Sequence, residues 1–264
     1  MTDTPQAALA RIPGWEDARW SKLCGGLTNR SWLVNAGDRK AVLKIDAAPR
    51  VAPYNERSSE RRIQEIAAAA GLANKVLYTD ERTYLTEYIE GRVWVPADLG
   101  IEANLEKLAQ LLRRLHSLPL SGRHFNAVDA AEAYLAKIDA ANSGIARRCE
   151  KIVRQFHAPH NLCCCHNDLV AGNIIATPDL RLLDWEYACD NDPLFDLAIV
   201  VAHHELSEDI ANLLLDRYFD GDGRRWREKL GQQIMLYNAL LWLWYASRPD
   251  PDPEQLLIFE LRLP

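Results

Sequence analysis

The chain has 264 residues, which is long enough to bury a full core as one large domain or as two modest lobes. Its net charge of −6 argues against nucleic acid as a partner, because phosphate binding depends on clustered Lys and Arg. The first residues, MTDTPQAALARIPGWED, do not resemble a secretion signal, and the longest apolar run, Ile234–Ala246, is too short to cross a bilayer. These features predict a cytoplasmic protein without a membrane partner.

The cysteines indicate the same compartment. Six of them are too few for a disulfide scaffold, and the three adjacent ones, Cys163, Cys164 and Cys165, cannot easily pair with one another. The run HAPHNLCCCH has neither a CxxC pair nor a regular ligand spacing, so its spacing does not favour a metal site. We expect the three cysteines to form the buried end of a strand, with each acting as a small hydrophobic residue.

The first third of the chain is predicted to be rich in strands. Two apolar runs, SWLV and AVLKI, flank the turn NAGDR, and the glycine pair Gly25 and Gly26 precedes them, as expected of a hairpin with a flexible loop at its entrance. The apolar stripe Ile63, Ile66, Ala67 and Ala70 predicts a helix over 55–73. The segments KVLYTD and RTYLTEYIEG then predict two further strands, the last ending at Gly91.

After Gly91 the pattern becomes helical. Leucines at helical spacing predict a helix over 104–118, and further helices are expected within 129–156, 205–219 and 226–247. A short strand-rich insert, 162–186, lies between these helical groups. The sequence therefore predicts an α+β protein with a small β-rich lobe over 1–90 and a larger helical lobe over 91–264.

The insert carries the polar motif CHNDLVAGNI. Asp168 and Asn173 have the spacing at which a kinase catalytic loop places its base and its metal-binding amide. Asp184, in RLLDWEY, follows a predicted two-strand hairpin and takes the place of the second metal-binding aspartate. Transfer of a phosphoryl group to an alcohol needs these parts, namely a carboxylate for the hydroxyl and oxygen ligands for Mg²⁺.

Upstream residues supply the remaining parts. Lys44 lies on the strand AVLKI, where a lysine for the nucleotide phosphates is expected, and Glu60 on the following helix is positioned to pair with it. Glu56 and Glu65 compete with Glu60 for this role. Each residue alone is a weak signal, but ordinary folding does not require this order of parts, so the series as a whole indicates a phosphotransferase.

The motifs GGLTNRSWLV, CHNDLVAGNII and LLDWEYACDNDPLFDLA resemble those of the choline/ethanolamine kinase and aminoglycoside phosphotransferase superfamily, above all its bacterial choline kinase and thiamine kinase branches. The resemblance runs from Leu23 to Tyr245. It implies a two-lobed, protein-kinase-like fold, with ATP and Mg²⁺ as cofactors. The protein-kinase A-P-E segment and the Walker A motif are absent, which argues against a protein substrate and against the P-loop class.

The resemblance also implies roles for individual residues. Asp168 would be the base in a catalytic loop that contains His166, with Asp196 bracing the loop. Asn173 and Asp184 would bind Mg²⁺. The nucleotide would be held by the Lys44–Glu60 pair, by backbone groups around Glu87 to Ile89, and by the phosphate-covering loop residues Gly25, Gly26, Thr28 and Asn29.

The acceptor is predicted to be a small cationic alcohol, most of all choline or ethanolamine. An aromatic face with a nearby carboxylate would recognise such a cation. The candidate residues are Glu186, Tyr187, Asp190, Trp242, Trp244 and Tyr245. For the aromatic residues in the run LLWLWY, packing in the core is an equally good interpretation. A thiamine kinase and an aminoglycoside phosphotransferase remain as alternatives, and a catalytically idle, nucleotide-binding protein is the alternative that is not an enzyme.

Overall fold

Five antiparallel strands form the main sheet of the structure, a computed structural model that describes residues 4–23, 29–46, 56–139, 143–156, 159 and 161–264. The strand order is β1-β2-β3-β5-β4. The strands are β1 (Arg19–Lys22), β2 (Asn29–Ala36), β3 (Arg39–Asp46), β4 (Val76–Thr79) and β5 (Thr83–Glu87). A tight turn joins β2 to β3, and Gly37 in that turn has a φ of +61°, a left-handed conformation that glycine adopts without steric cost.

The alternation of side chains along β3 places its core residues and Lys44 on opposite faces of the strand. Ala41, Leu43 and Ile45 are fully buried and pack with α1 (Pro5–Leu9) and the segment that follows it. Because successive side chains of a strand point to opposite faces, Lys44 lies on the other face. Its neighbour Tyr84 there bonds through its hydroxyl to Gln64 of α2 (Arg57–Ala69) at 3.1 Å.

Helices dominate the chain after β6 (Arg92–Val93). They are α3 (Glu102–His116), α4 (Ala127–Leu135), α5 (Ser143–Val153), α6 (Pro193–His203), α7 (Glu208–Tyr218), α8 (Arg227–Ala246) and α9 (Pro253–Glu260). None of the helices in the described part of the chain has both the length and the apolar character needed to cross a bilayer.

Four short strands flank the polar motifs. They are β7 (Cys163–Cys165), β8 (Ile174–Ala176), β9 (Leu180–Leu182) and β10 (Cys189–Asn191). β7 pairs with β10 in an antiparallel ladder, and a three-stranded sheet has the order β6-β8-β9. The prediction that the cysteine run is a buried strand end is confirmed, since Cys164 and Cys165 are buried and Cys163 is half-buried.

The described residues divide into two compact units. The first contains the residues up to Arg92 together with Ile175–Glu186, and the second contains Val93–Ile174 and Tyr187–Pro264. A division at residue 90 was predicted, but the sequence did not predict that the β8–β9 hairpin packs with the first unit. The α+β class is confirmed.

Candidate active site

In the loop after β7, two polar side chains five residues apart meet. Asn173 donates from Nδ2 to the backbone oxygen and to Oδ2 of Asp168, in both cases at 2.8 Å. The short 3-10 helix Ala171–Asn173 makes this approach possible. The amide nitrogen is thereby used by Asp168, which leaves the amide oxygen of Asn173 as the atom that could bind a hard cation.

Asp196, near the start of α6, holds this loop from behind. Its Oδ2 accepts from the backbone amide of His166 at 2.9 Å, and its Oδ1 accepts from that of Asn167 at 2.7 Å. Its Oδ2 also lies 3.1 Å from Nε2 of His116. Asp196 is fully buried, and its position as a brace agrees with what the resemblance implied.

His166 and Asn167 differ from the sequence-based expectation. The His166 side chain has no exposed surface, so the structure places it as internal support for the loop rather than as a catalytic group in contact with substrate. Asn167, which was not predicted, has a φ of +60°, and its Oδ1 accepts from Nδ2 of Asn191 at 2.8 Å. Asn tolerates this conformation better than most residues, and the bond ties the loop to β10.

A second histidine missed by the sequence analysis supports the loop. Nε2 of His204 accepts from the backbone amide of Ala171 at 3.0 Å, and Nδ1 donates to the Val200 carbonyl at 2.9 Å. The ring must be neutral to make both bonds. Burial lowers its pKa, which favours this neutral form. A cavity of about 400 Å³ borders the loop beside this ring.

In the first unit, Lys44 is the centre of a charged cluster. Its Nζ lies 2.8 Å from Oδ1 of Asp184, and its side chain is 14% exposed. Burial alone would lower the pKa of Lys44, but the charges of Asp184, Glu60 and Glu186 outweigh that effect and raise it. The lysine is therefore a permanent cation held among carboxylates.

The structure separates the three candidate glutamates for Lys44. Glu60 is fully buried and acts on Lys44 through its charge, while its Oε2 accepts from Arg57 at 2.7 Å. Arg57 also forms an ion pair with Asp46. By contrast, Glu65 forms a surface ion pair with Arg61, and Glu56 is exposed. Glu60 is the glutamate placed to act on Lys44.

Asp184 shows the backbone strain typical of functional sites. Its φ of +61° is uncommon for a residue other than glycine and costs about 1–3 kcal/mol. Its carboxylate and the amide oxygen of Asn173 are hard oxygen donors of the kind that Mg²⁺ prefers, so these residues fit the predicted metal chemically.

The residues predicted to bind the nucleotide are described in part. Gly25, Gly26 and Thr28 lie outside the described residues, and Asn29 is described only as the first residue of β2, where its backbone pairs with Asp46. At the end of β5, the Glu87 amide donates to Lys75 and the Glu87 carbonyl accepts from Asn74. Within the described residues, the Ile89 peptide groups make no bond to another backbone group.

Three of the residues predicted to bind the acceptor are used elsewhere. Asp190 is fully buried, and its carboxylate accepts from the amides of Ser121 at 2.7 Å and Gly122 at 2.8 Å. Trp242 is 1% exposed and is part of the core. Glu186 is buried and contributes its charge to Lys44. For Asp190 and Trp242, the structure favours a structural role over acceptor binding, because both side chains are buried and a substrate could not reach them.

The remaining aromatic candidates form a group in the second unit. Nε1 of Trp244 donates to the Tyr187 hydroxyl at 3.2 Å, and the rings of Trp244 and Tyr245 lie 6.3 Å apart. The guanidinium of Arg248 lies 5.2 Å from the centre of the Trp244 ring and 5.9 Å from that of Tyr245. All three aromatic residues are half-buried, and two of them, Trp244 and Tyr245, already attract a cation in the structure itself.

A family model described as "Phosphotransferase enzyme family" matches residues 19–230. The match covers most of the chain and includes Lys44, Asp168, Asn173 and Asp184. The chain belongs to this family, and it is a phosphotransferase.

Two relatives extend this assignment. Protein LicA of Haemophilus influenzae is 31% identical over 245 residues, which cover 86% of this chain and 72% of the relative. Thiamine kinase of Escherichia coli is 34% identical over 197 residues, which cover 70% of this chain and 69% of the relative.

Solved structures agree on the fold. Choline kinase LicA from Streptococcus pneumoniae aligns with a TM-score of 0.77 at 23% identity, over 92% of this chain and 91% of that protein. A LicA structure in complex with AMP aligns with a TM-score of 0.76 at 22% identity, over 94% of this chain and 91% of that one. The predicted kinase-like fold is confirmed.

Proposed function

We propose that this protein is an ATP-dependent kinase that phosphorylates the hydroxyl of a small cationic alcohol, choline or ethanolamine. The observation that carries the proposal is the position of the Asp168 carboxylate. Nδ2 of Asn173 donates to its Oδ2 at 2.8 Å, and Asp196 accepts from two backbone amides of the same loop. A fixed carboxylate can orient a substrate hydroxyl and take its proton, which is the task of the base in phosphoryl transfer.

The donor side of the proposal rests on the Lys44 cluster. A buried lysine that stays charged can neutralise nucleotide phosphates, and its partner Asp184 together with Asn173 would hold Mg²⁺. When bound, the ion neutralises charge that develops on the phosphates during transfer. Because the Glu87 peptide groups and the Tyr88 amide already have partners, we assign the contact with adenine to Ile89, the residue that follows them.

The acceptor side rests on the aromatic group of Tyr187, Trp244 and Tyr245. The rings of Trp244 and Tyr245 attract the Arg248 cation, and a quaternary ammonium would be attracted in the same way, by about 2 kcal/mol for a desolvated contact. Similarity to choline kinase LicA favours choline, and similarity to thiamine kinase supports thiamine, which also carries a cation near a primary hydroxyl, as the second candidate.

We also propose a cytoplasmic location. The five described cysteines are free thiols, which is typical of a reducing compartment, and ATP is abundant there.

An assay of ADP release tests the proposal with choline, ethanolamine, thiamine, kanamycin and the uncharged choline isostere 3,3-dimethylbutanol. We expect the best cationic alcohol to exceed the isostere at least about tenfold in kcat/KM, because cation–π attraction and ion pairing vanish with the charge. Equal rates for the isostere, or turnover of kanamycin alone, would instead support an aminoglycoside phosphotransferase. Nucleotide binding without turnover of any alcohol would support the idle alternative.

A further inference from the structure

Two sulfur atoms and one imidazole meet behind the catalytic loop. Cys163 and Cys165 are separated by one residue on β7, so their side chains share a face of the strand, and their Sγ atoms lie 3.5 Å apart. His116, the last residue of α3, contributes a ring nitrogen, and all three donor atoms lie within 4.8 Å of one another. No spacing in the sequence predicts this group, because α3 and β7 lie far apart in the chain.

The partners of His116 determine which nitrogen is available. Nε2 faces Oδ2 of Asp196 at 3.1 Å, and Nδ1 faces the Tyr218 hydroxyl at 2.7 Å. Since a carboxylate only accepts, Nε2 carries the proton and Nδ1 has the lone pair, which accepts from the tyrosine. A histidine whose N–H donates to a carboxylate is the arrangement commonly found behind metal-binding histidines.

We propose that Cys163, Cys165 and His116 bind a thiophilic divalent ion such as Zn²⁺, with Nδ1 of His116 exchanging the Tyr218 hydroxyl for the ion. Two Zn–S bonds of about 2.3 Å in a tetrahedron place the sulfurs about 3.8 Å apart, close to the separation in the structure. Among the described residues these are the three ligand side chains of the cluster, and water completes the tetrahedron. The half-buried Cys163 gives the ion a route from solvent.

Binding exchanges protons for the ion. The ion binds thiolates, and each thiol that becomes a ligand releases its proton to solvent while no atom is oxidised or reduced.

The site connects to the catalytic loop through Asp196. Oδ2 of this carboxylate is shared between the ring of His116 and the backbone amide of His166. A metal ion on the imidazole makes its N–H a stronger donor, which draws the carboxylate toward His116 and weakens its bonds to the loop amides. We expect the bound ion to lower kcat with little change in KM. This consequence rests on the proposed function, whereas ion binding does not.

Titration of the metal-free full-length protein with Co²⁺ tests the site without an activity measurement. We expect one thiolate-bound ion per chain, seen as the absorption band of a thiolate bound to cobalt, which Zn²⁺ then removes by competition. Cys163→Ser should weaken binding at least about tenfold. Cys164→Ala is the matched control, because its side chain points to the opposite face of β7, and it should bind Co²⁺ like the wild type.

Two results would overturn the site: no thiolate–cobalt band in the wild-type protein, or an unchanged band in Cys163→Ser that still melts like the wild type. If Cys164→Ala fails to fold, Cys149→Ala on α5 takes its place as the control. In the assay of ADP release, Zn²⁺ should inhibit the wild type more than Cys163→Ser. Equal inhibition of the two would overturn the coupling through Asp196, and a protein without kinase activity would refute the proposed function while the cobalt titration still decides the site.

Discussion

At the scale of single residues, the proposed reaction depends on the position of the Asp168 carboxylate. This carboxylate is half-buried and fixed by Asn173. We predict that Asp168→Asn lowers kcat by roughly 10²- to 10⁴-fold, the range for loss of a positioned general base, because an amide cannot take the hydroxyl proton. Nucleotide affinity should change little.

Steady-state kinetics and nucleotide binding measure the two effects separately. Asp179→Asn is the matched control, since the same change is made at an exposed residue of the β8–β9 hairpin. Activity of Asp168→Asn within threefold of the wild type would refute its role as the base.

Two adjacent histidines at the end of α6 make stability depend on pH. Burial lowers the pKa of His203 from its ordinary value of 6.5 to about 4, and it lowers the pKa of His204 as well. As the pH falls below 6.5 the unfolded chain takes up protons that the folded protein does not, so the free energy of unfolding should fall. For His203 alone the loss approaches about 3 kcal/mol near pH 4.

Urea unfolding at pH 7, 6 and 5 measures this effect. The double variant His203→Gln, His204→Gln should show a shallower decline than the wild type. His124→Gln, whose side chain is 62% exposed, should keep the decline of the wild type. Parallel declines in the double variant and the wild type would show that other groups cause the pH dependence.

At the scale of elements, Gly91 allows a close approach of two segments in the first unit. A Cβ at this position would lie 2.5 Å from the Ala176 carbonyl oxygen and 3.0 Å from Cγ1 of Ile175. We predict that Gly91→Ala destabilises the protein by about 1–3 kcal/mol, because neither the backbone of β8 nor its packed side chain can yield easily.

Thermal unfolding measures this loss as a lower Tm, by roughly 2–4 °C per kcal/mol for a chain of this size. Gly100→Ala is the control, since a Cβ there meets no described atom within 4 Å. An equal Tm for the two variants would contradict the prediction.

Elements with a polar face were the ones that the sequence could predict. The helices expected over 104–118 and 226–247 are observed as Glu102–His116 and Arg227–Ala246. The helix α6 was missed because it is buried from Leu194 to Ala202 and is apolar there except for Asp196, so its sequence has no helical alternation of apolar and polar residues. Its start did carry a local signal, Asp192 as N-cap followed by proline, which sequence reasoning could have used.

In the candidate site, contacts within one loop could be predicted from the sequence, whereas contacts between distant segments could not. Local spacing was enough to predict Asp168 with Asn173, because five residues of one loop determine whether they meet. His204 reaches that loop from the end of α6, and His116 of α3 contacts Asp196, the residue that holds the loop. Contacts over such distances along the chain depend on tertiary packing, so no motif in this sequence could have predicted them.

At the scale of the whole molecule, nucleotide binding should appear as stability. A ligand that binds only the folded state at 100 times its Kd stabilises the protein by about 2.7 kcal/mol. For a chain of this size that corresponds to a Tm increase of roughly 5–10 °C with Mg²⁺ and ATP. Lys44→Ala should lose most of this increase, because it removes the buried cation that we assign to the phosphates.

Differential scanning fluorimetry over a series of ATP concentrations measures the increase, with Lys75→Ala as the control at an exposed lysine of the same unit. A full increase in Lys44→Ala would place the phosphates elsewhere. The comparison with ADP release then separates an enzyme from an idle kinase fold. Both would be stabilised by nucleotide, but only the enzyme would also turn over an alcohol and lose that turnover in Asp168→Asn while keeping its Tm increase.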